Sequence, residues 1–145
     1  KNSSRPIGLT CQRPVGLIDL YPTMIEMCGL PTKPANEGQS LVGLLTDPDD
    51  EAREAVLTTY ARNNHSLRSE RYRLIRYEDG SEEFYDHQVD PGEFTNLATV
   101  PQYKMKLATL RQLLPNRSAP YHPATSKQAV NPWFAEHLRE NGVTK

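Results

Sequence analysis

Arg71-Tyr72-Arg73-Leu74-Ile75-Arg76-Tyr77-Glu78-Asp79-Gly80-Ser81-Glu82-Glu83-Phe84-Tyr85-Asp86-His87 is the stretch that decides the fold. At its centre Asp79-Gly80 suits a tight turn, because glycine accepts the positive φ such turns need. On both sides aromatic and branched residues mix with polar ones in the manner of half-buried strands. Strands are predicted over Tyr72–Tyr77 and Glu82–His87, joined as a hairpin.

Upstream, Val56, Thr58 and Tyr60 alternate with Leu57, Thr59 and Ala61, a third strand, and Ser66–Ser69 is a fourth, shorter one. The connections are too short for parallel crossovers, so the four strands form an antiparallel meander. Downstream, Asp90-Pro91-Gly92-Glu93 reads as a turn, and Asp90 and Asn96 are expected to bond nearby backbone amides there. A helix is predicted over Pro101–Leu114, with Tyr103, Leu107, Leu110, Leu113 and Leu114 on one side and Pro115 ending it. That helix can cover one face of the sheet, and the other needs a partner or stays wet. The fold class is therefore α+β: a small antiparallel four-stranded sheet packed by a C-terminal helix.

Ahead of the sheet, Leu17, Leu20, Tyr21, Met24 and Cys28 recur at spacings of three and four. They predict a helix over Leu20–Cys28 with an apolar stripe, capped by Asp19 and stopped by Gly29 and Pro31. Cys28 on that stripe reads as a small buried hydrophobe, with pairing to Cys11 left open. Ser40 is placed to cap a short turn through Leu41, Leu44 and Leu45, and Thr46–Glu54 is an acidic connection. Asn116–Asn131 reads as a draped segment, and Pro132–Asn141, with Trp133 and Phe134, as a last short helix. The expected organisation is 1–46, 47–115 and a proline-rich tail over 116–145.

The 145 residues suit one ordinary domain, but 37% apolar content and 12 prolines imply a modest core. A net charge of −1, from 17 basic and 18 acidic side chains, argues against a nucleic-acid binder. No apolar run approaches a membrane span. There is no glycine-rich phosphate loop, no H-E-x-x-H and no G-x-S-x-G. His65, His87, His122 and His137 are scattered, and Asp47-Asp49-Asp50-Glu51 lacks the glycine-centred pattern of a calcium loop. No catalytic or metal-binding residue is assigned.

One constellation carries chemistry. Tyr60-Ala61-Arg62-Asn63-Asn64-His65-Ser66-Leu67-Arg68 places two arginines, a histidine and two amides on a strand–loop–strand. Arginine offers a bidentate fork to a carboxylate or sulfate, and His and Asn add further hydrogen bonds. Arg62, Asn63, Asn64, His65 and Arg68 are therefore candidates for holding an anionic sugar; an ordinary solvated hairpin is the plain alternative.

Several segments in order resemble the sulfatases. Pro14-Val15-Gly16-Leu17-Ile18-Asp19-Leu20-Tyr21-Pro22-Thr23 followed by Cys28-Gly29-Leu30-Pro31 resembles a segment near the end of the sulfatase catalytic fold. Gly38-Gln39-Ser40-Leu41 with Leu44-Leu45, Arg68–Tyr77, Glu82–Asp86 and Asp90–Ala98 match later family segments in order and spacing. Within the family the likeness is to iduronate-sulfatase-like members. The resemblance implies the C-terminal part of a formylglycine-dependent, alkaline-phosphatase-like hydrolase of sulfate esters. The Leu20–Cys28 helix then closes the α/β catalytic domain, and the Arg62–His65 loop faces the active-site mouth. Calcium and formylglycine are implied for the catalytic domain, because neither Cys11-Gln12-Arg13-Pro14 nor Cys28-Gly29-Leu30-Pro31 fits C/S-x-P-x-R. The implied partners are that upstream domain and a sulfated carbohydrate, with no nucleic acid and no membrane. The isolated chain is expected to be inactive, the apolar stripe of the Leu20–Cys28 helix to be left exposed, and the parent to be secreted or periplasmic. Two alternatives stay open: a purely structural cap, and part of a phosphate-transferring relative.

Overall fold

The computed structural model describes residues 8–50 and 53–120. The elements below lie in the unit Lys1–Pro115, and Asn116–Lys145 forms a second unit. The helix expected at Pro132–Asn141 falls outside the described residues.

A single 3-10 turn at Leu17–Asp19 leads into helix α1 (Leu20–Met27), followed by short α2 (Val42–Thr46). Then come β1 (Ala55–Tyr60), β2 (Asn64–Ser69), β3 (Tyr72–Arg76) and β4 (Glu82–Asp86). A 3-10 turn at Pro101–Tyr103 opens α3 (Lys104–Arg111). The strands form one antiparallel sheet in the order β1-β2-β3-β4. The predicted meander is thus observed. Strand β2 starts two residues earlier than the predicted Ser66, because β1 and β2 pair to the end, Tyr60 opposite Asn64.

The register aligns Leu57 with Leu67, Leu67 with Leu74 and Leu74 with Phe84 across the strands. Leu67, Leu74 and Phe84 make one buried cluster with Leu107, Leu110 and Leu114 of the α3 region. Tyr72 stacks on Phe84 with ring centroids 5.4 Å apart, and Tyr103 closes on the same ring at 5.8 Å. The alternation of strand side chains then puts Thr58, Tyr60, Ser66, Arg68, Arg73, Ile75, Glu83 and Tyr85 on the opposite, outer face. Val56 on that face is buried, and a Cβ at Gly16 would lie 2.9 Å from its side chain, so the chain before α1 passes close over β1.

The β4 edge is closed by a side chain. Asn96 Oδ1 accepts the Phe84 N–H (3.0 Å), its Nδ2 donates to Glu82 O (3.1 Å), and Leu97 N–H donates to Phe84 O (2.8 Å). Asn96 Oδ1 also accepts the Ala98 N–H, and Asp90 accepts the Thr95 N–H at 2.8 Å. These side-chain bonds fix the turn into α3, as its Asp and Asn suggested.

Helix α1 leaves its apolar stripe exposed, as the resemblance implied, but it differs from the expectation in what it buries and in Cys28. Its apolar stripe points outward: Leu17 is 87% exposed, and Leu20, Tyr21, Met24 and Met27 are each at least half exposed. Asp19, Thr23 and Ile25 are buried instead. The reason is polar. The Asp19 carboxylate accepts the Gly16 N–H (2.8 Å) and the Gln39 N–H (2.9 Å), and it pairs with Arg53. Thr23 Oγ1 donates to Asp19 O (2.6 Å) and accepts the Leu41 N–H (2.9 Å). Asp19 therefore ties down a neighbouring loop rather than capping α1, since its carboxylate makes no bond to the first turn. Gly38 permits this approach: a Cβ there would collide with the Ile18 carbonyl. Cys28 follows the outward stripe and is exposed, so it is not a core hydrophobe; both thiols are free.

Leu110→Ala is expected to cost roughly 2–5 kcal/mol, as a core cavity does. Asp90→Ala should cost about 1 kcal/mol through its lost turn bond. Chemical-denaturation midpoints of the two variants check both, and an order reversed from this would contradict the packing described.

Candidate functional site

The β1–β2 connection is a three-residue loop, Ala61, Arg62 and Asn63. Ala61 (φ 52°) and Asn63 (φ 63°) adopt left-handed backbone. Asn tolerates that region, whereas for Ala it carries strain. Arg62 between them is exposed. Asn64 anchors the loop through both ends of its amide. Nδ2 donates to Arg62 O (3.0 Å), and Oδ1 accepts the Glu78 N–H (3.2 Å) from the β3–β4 turn. The two turns at this end of the sheet are thus tied together.

His65, the next residue, shares the α3-facing side with Leu67. It is buried, and its Nδ1 lies 3.0 Å from Thr59 Oγ1. Burial, and then the positive Arg76 nearby, hold its pKa below the ordinary value of 6.5. Arg68, three residues on, lies on the outer face at the far end of β2. It is four residue steps along the strand from Asn64, about 13 Å. Its guanidinium donates to Ser69 O (2.9 Å) and Tyr72 O (3.5 Å). The structure thus gathers Arg62, Asn63 and Asn64 at one tip, turns His65 inward beside it, and sets Arg68 at the other end.

Two charge clusters escaped the sequence reading. Asp86 is fully buried; its carboxylate accepts both arms of the Arg71 guanidinium (2.7 and 2.5 Å), the Gln88 N–H (3.1 Å) and the Tyr103 hydroxyl (3.4 Å). The Arg71 hydrogen bonds hold its pKa below the carboxylate norm in spite of burial. Glu93, at φ 57°, accepts from Arg73 (2.9 Å) and meets His87 Nε2 at 2.5 Å. Burial pushes Glu93 upward, but these hydrogen bonds prevail and its pKa is lowered. Burial and Glu83 raise the Tyr85 hydroxyl to about 12. The only sequence signal for these pairs was the wealth of Arg and Glu on alternate strand positions, which does not say who pairs with whom.

The N-sulphoglucosamine sulphohydrolase C-terminal family model matches residues 7–119. The chain belongs to this sulfatase family. It is 37% identical to a sulfatase of Formosa agariphila, over 95% of this chain and 27% of that protein. It is 29% identical to mouse arylsulfatase K, over 80% of this chain and 24% of the relative. Among solved structures, one in complex with its substrate D-glucosamine-2-N,6-O-disulfate matches with 27% identity and a TM-score of 0.58, covering 66% of this chain and 22% of that one. The chain thus spans about a quarter of the length of these relatives. Sulfatases generally use calcium and formylglycine in their catalytic domain. The described residues do not fit that role, for no three His, Cys, Asp or Glu side chains among them group as a cation site.

Because the fold favours neutral His65, its contribution to stability is complete above about pH 6.5 and fades as pH falls through the lower folded value. A 15N NMR titration of the ring should therefore give a midpoint below that of a free histidine; a midpoint at or above it would refute the burial described.

Proposed function

We propose that this chain is the C-terminal subdomain of a sulfatase that acts on sulfated sugars, and that it supplies one wall of the substrate pocket while the sulfate ester is cleaved by residues upstream. The observation that carries this reading is the Arg62 tip in a chain of this family. An exposed arginine sits on a strained loop that Asn64 locks to the neighbouring turn. A guanidinium on so anchored a loop suits an anionic sugar, since less backbone has to be ordered on binding. Arg62 and Asn63 are the contacting residues, and Asn64 and His65 hold them in place. The domain division 1–46, 47–115 and 116–145 goes with this reading, the first part continuing the catalytic domain. The exposed stripe of α1 then packs on the upstream polypeptide.

That stripe also favours a second reading, in which the chain is only a packing cap. Kinetics separate the two. In the full-length enzyme Arg62→Ala should raise KM by on the order of 10-fold with kcat little changed, since it removes ground-state binding. Wild-type kinetics in that variant leave the cap reading standing.

Sulfate release should be seen from the full-length enzyme and not from the 145-residue chain alone. Comparing sulfated uronic acids with sulfated glucosamines tests the narrower, iduronate-sulfatase-like reading of the motifs. Turnover by the isolated chain would mean that its own residues carry a catalytic site.

A further inference from the structure

Arg68 differs from its neighbours in how its charge is met. Arg53, Arg71, Arg73, Arg76 and Arg111 each pair with a carboxylate at hydrogen-bond distance. Arg68 is partly buried, and among the described residues its hydrogen bonds run only to the carbonyls of Ser69 and Tyr72, through one of its three nitrogens. Burial and the adjacent Arg73 act against its charge, with only Glu93 in its favour. The other two nitrogens of Arg68 are not sealed from solvent, since no buried side-chain nitrogen among the described residues lacks a partner, and so they are available to donate to an anion.

There is room for that anion. Arg68 lines an open cavity of about 650 Å³ with Arg71, His87, Gln12, Gln88 and Glu70. Arg71 spends Nε and one terminal nitrogen on Asp86, and its side chain is 45% exposed. Glu70 lies 3.8 Å from Arg13. Two arginines for a charged group, two amides and a carboxylate for hydroxyls make up the chemistry that recognises a charged sugar.

We propose that this cavity is a second sugar subsite, in which Arg68 and Arg71 hold a sulfate or carboxylate of a saccharide unit. It lies at the opposite end of β2 from Arg62, about 13 Å or more along the strand, so it takes a different unit of the chain from the one at the tip. This rests on the reading that the parent acts on sulfated sugars. Arg68 is then a specificity determinant, not a helper of the Arg62 loop.

The test uses the full-length enzyme and D-glucosamine-2-N,6-O-disulfate, its unsulfated counterpart and a glucuronic-acid disaccharide. A crystal soaked with the disulfate or the uronic acid should show its anionic group against Arg68 and Arg71, and which of the two enters distinguishes sulfate from carboxylate. An upstream carboxylate seated on Arg68 in that crystal, with no sugar, would overturn the proposal. In calorimetry Arg68→Met should weaken binding of the soaked ligand about 10-fold, as expected for a lost charge-assisted pair, and Arg68→Lys should weaken it less. Unchanged affinity in a folded Arg68→Met protein would equally overturn it. Sulfate release and the Arg62→Ala kinetics are read separately, so failure of the sulfatase reading shows there and failure of this subsite shows in the crystal and the affinities.

Discussion

Asp86 is the constraint on which the described fold turns. A carboxylate with no exposure must be met on every side, and here each group that meets it belongs to a different part of the chain. Arg71 comes from the β2–β3 turn, Gln88 from the chain leaving β4, and Tyr103 from the turn that opens α3. One ionised group thus fixes how the third strand begins, how the fourth ends and where the helix sets out. The apolar cluster of Leu67, Leu74, Phe84 and Leu110 fills the space those three anchors define. Because the Arg71 side chain is 45% exposed, the pair is open to solvent on one flank and enclosed by protein on the other. That spares it part of the desolvation a fully sealed pair would suffer.

Much of the sheet was legible because its signal is local. Asp79-Gly80 can do little but turn, and alternation over Tyr72–Tyr77 can bury only one set of side chains. The helix after Pro101 was legible for the same reason. Helix α1 was legible as a helix with an uncovered stripe, but what its other face buries was not. Periodicity shows that Leu17, Leu20, Tyr21 and Met24 share a side; it does not show that a buried Asp19–Arg53 pair, formed across 34 residues, turns the opposite side inward. Such pairs are written nowhere in the local pattern. The candidate residues lie spread apart for a related reason. Sequence neighbours within Arg62–Arg68 look like one cluster, but an extended strand carries residues away at about 3.3 Å each and turns successive ones to opposite faces.

The outer face therefore has its own character. Ser66, Arg73, Glu93 and His87 form a connected polar surface, while Tyr77 and Tyr85 both donate to Glu83. The exposed stripe of α1, by contrast, is apolar. A single neighbour covering both would have to match charge on one part and grease on the other, a demand that a chain four times this length can meet from one polypeptide.

Asn96 has one more consequence. By offering its amide to Phe84 and Glu82 it imitates the next strand, and the sheet has no vacancy on the β4 side. Strand β1 forms the other margin. Among the described residues, then, an extended segment joining this sheet, from the same polypeptide or from a misfolded copy, has only the β1 seam to join, which makes growth of the sheet one-directional.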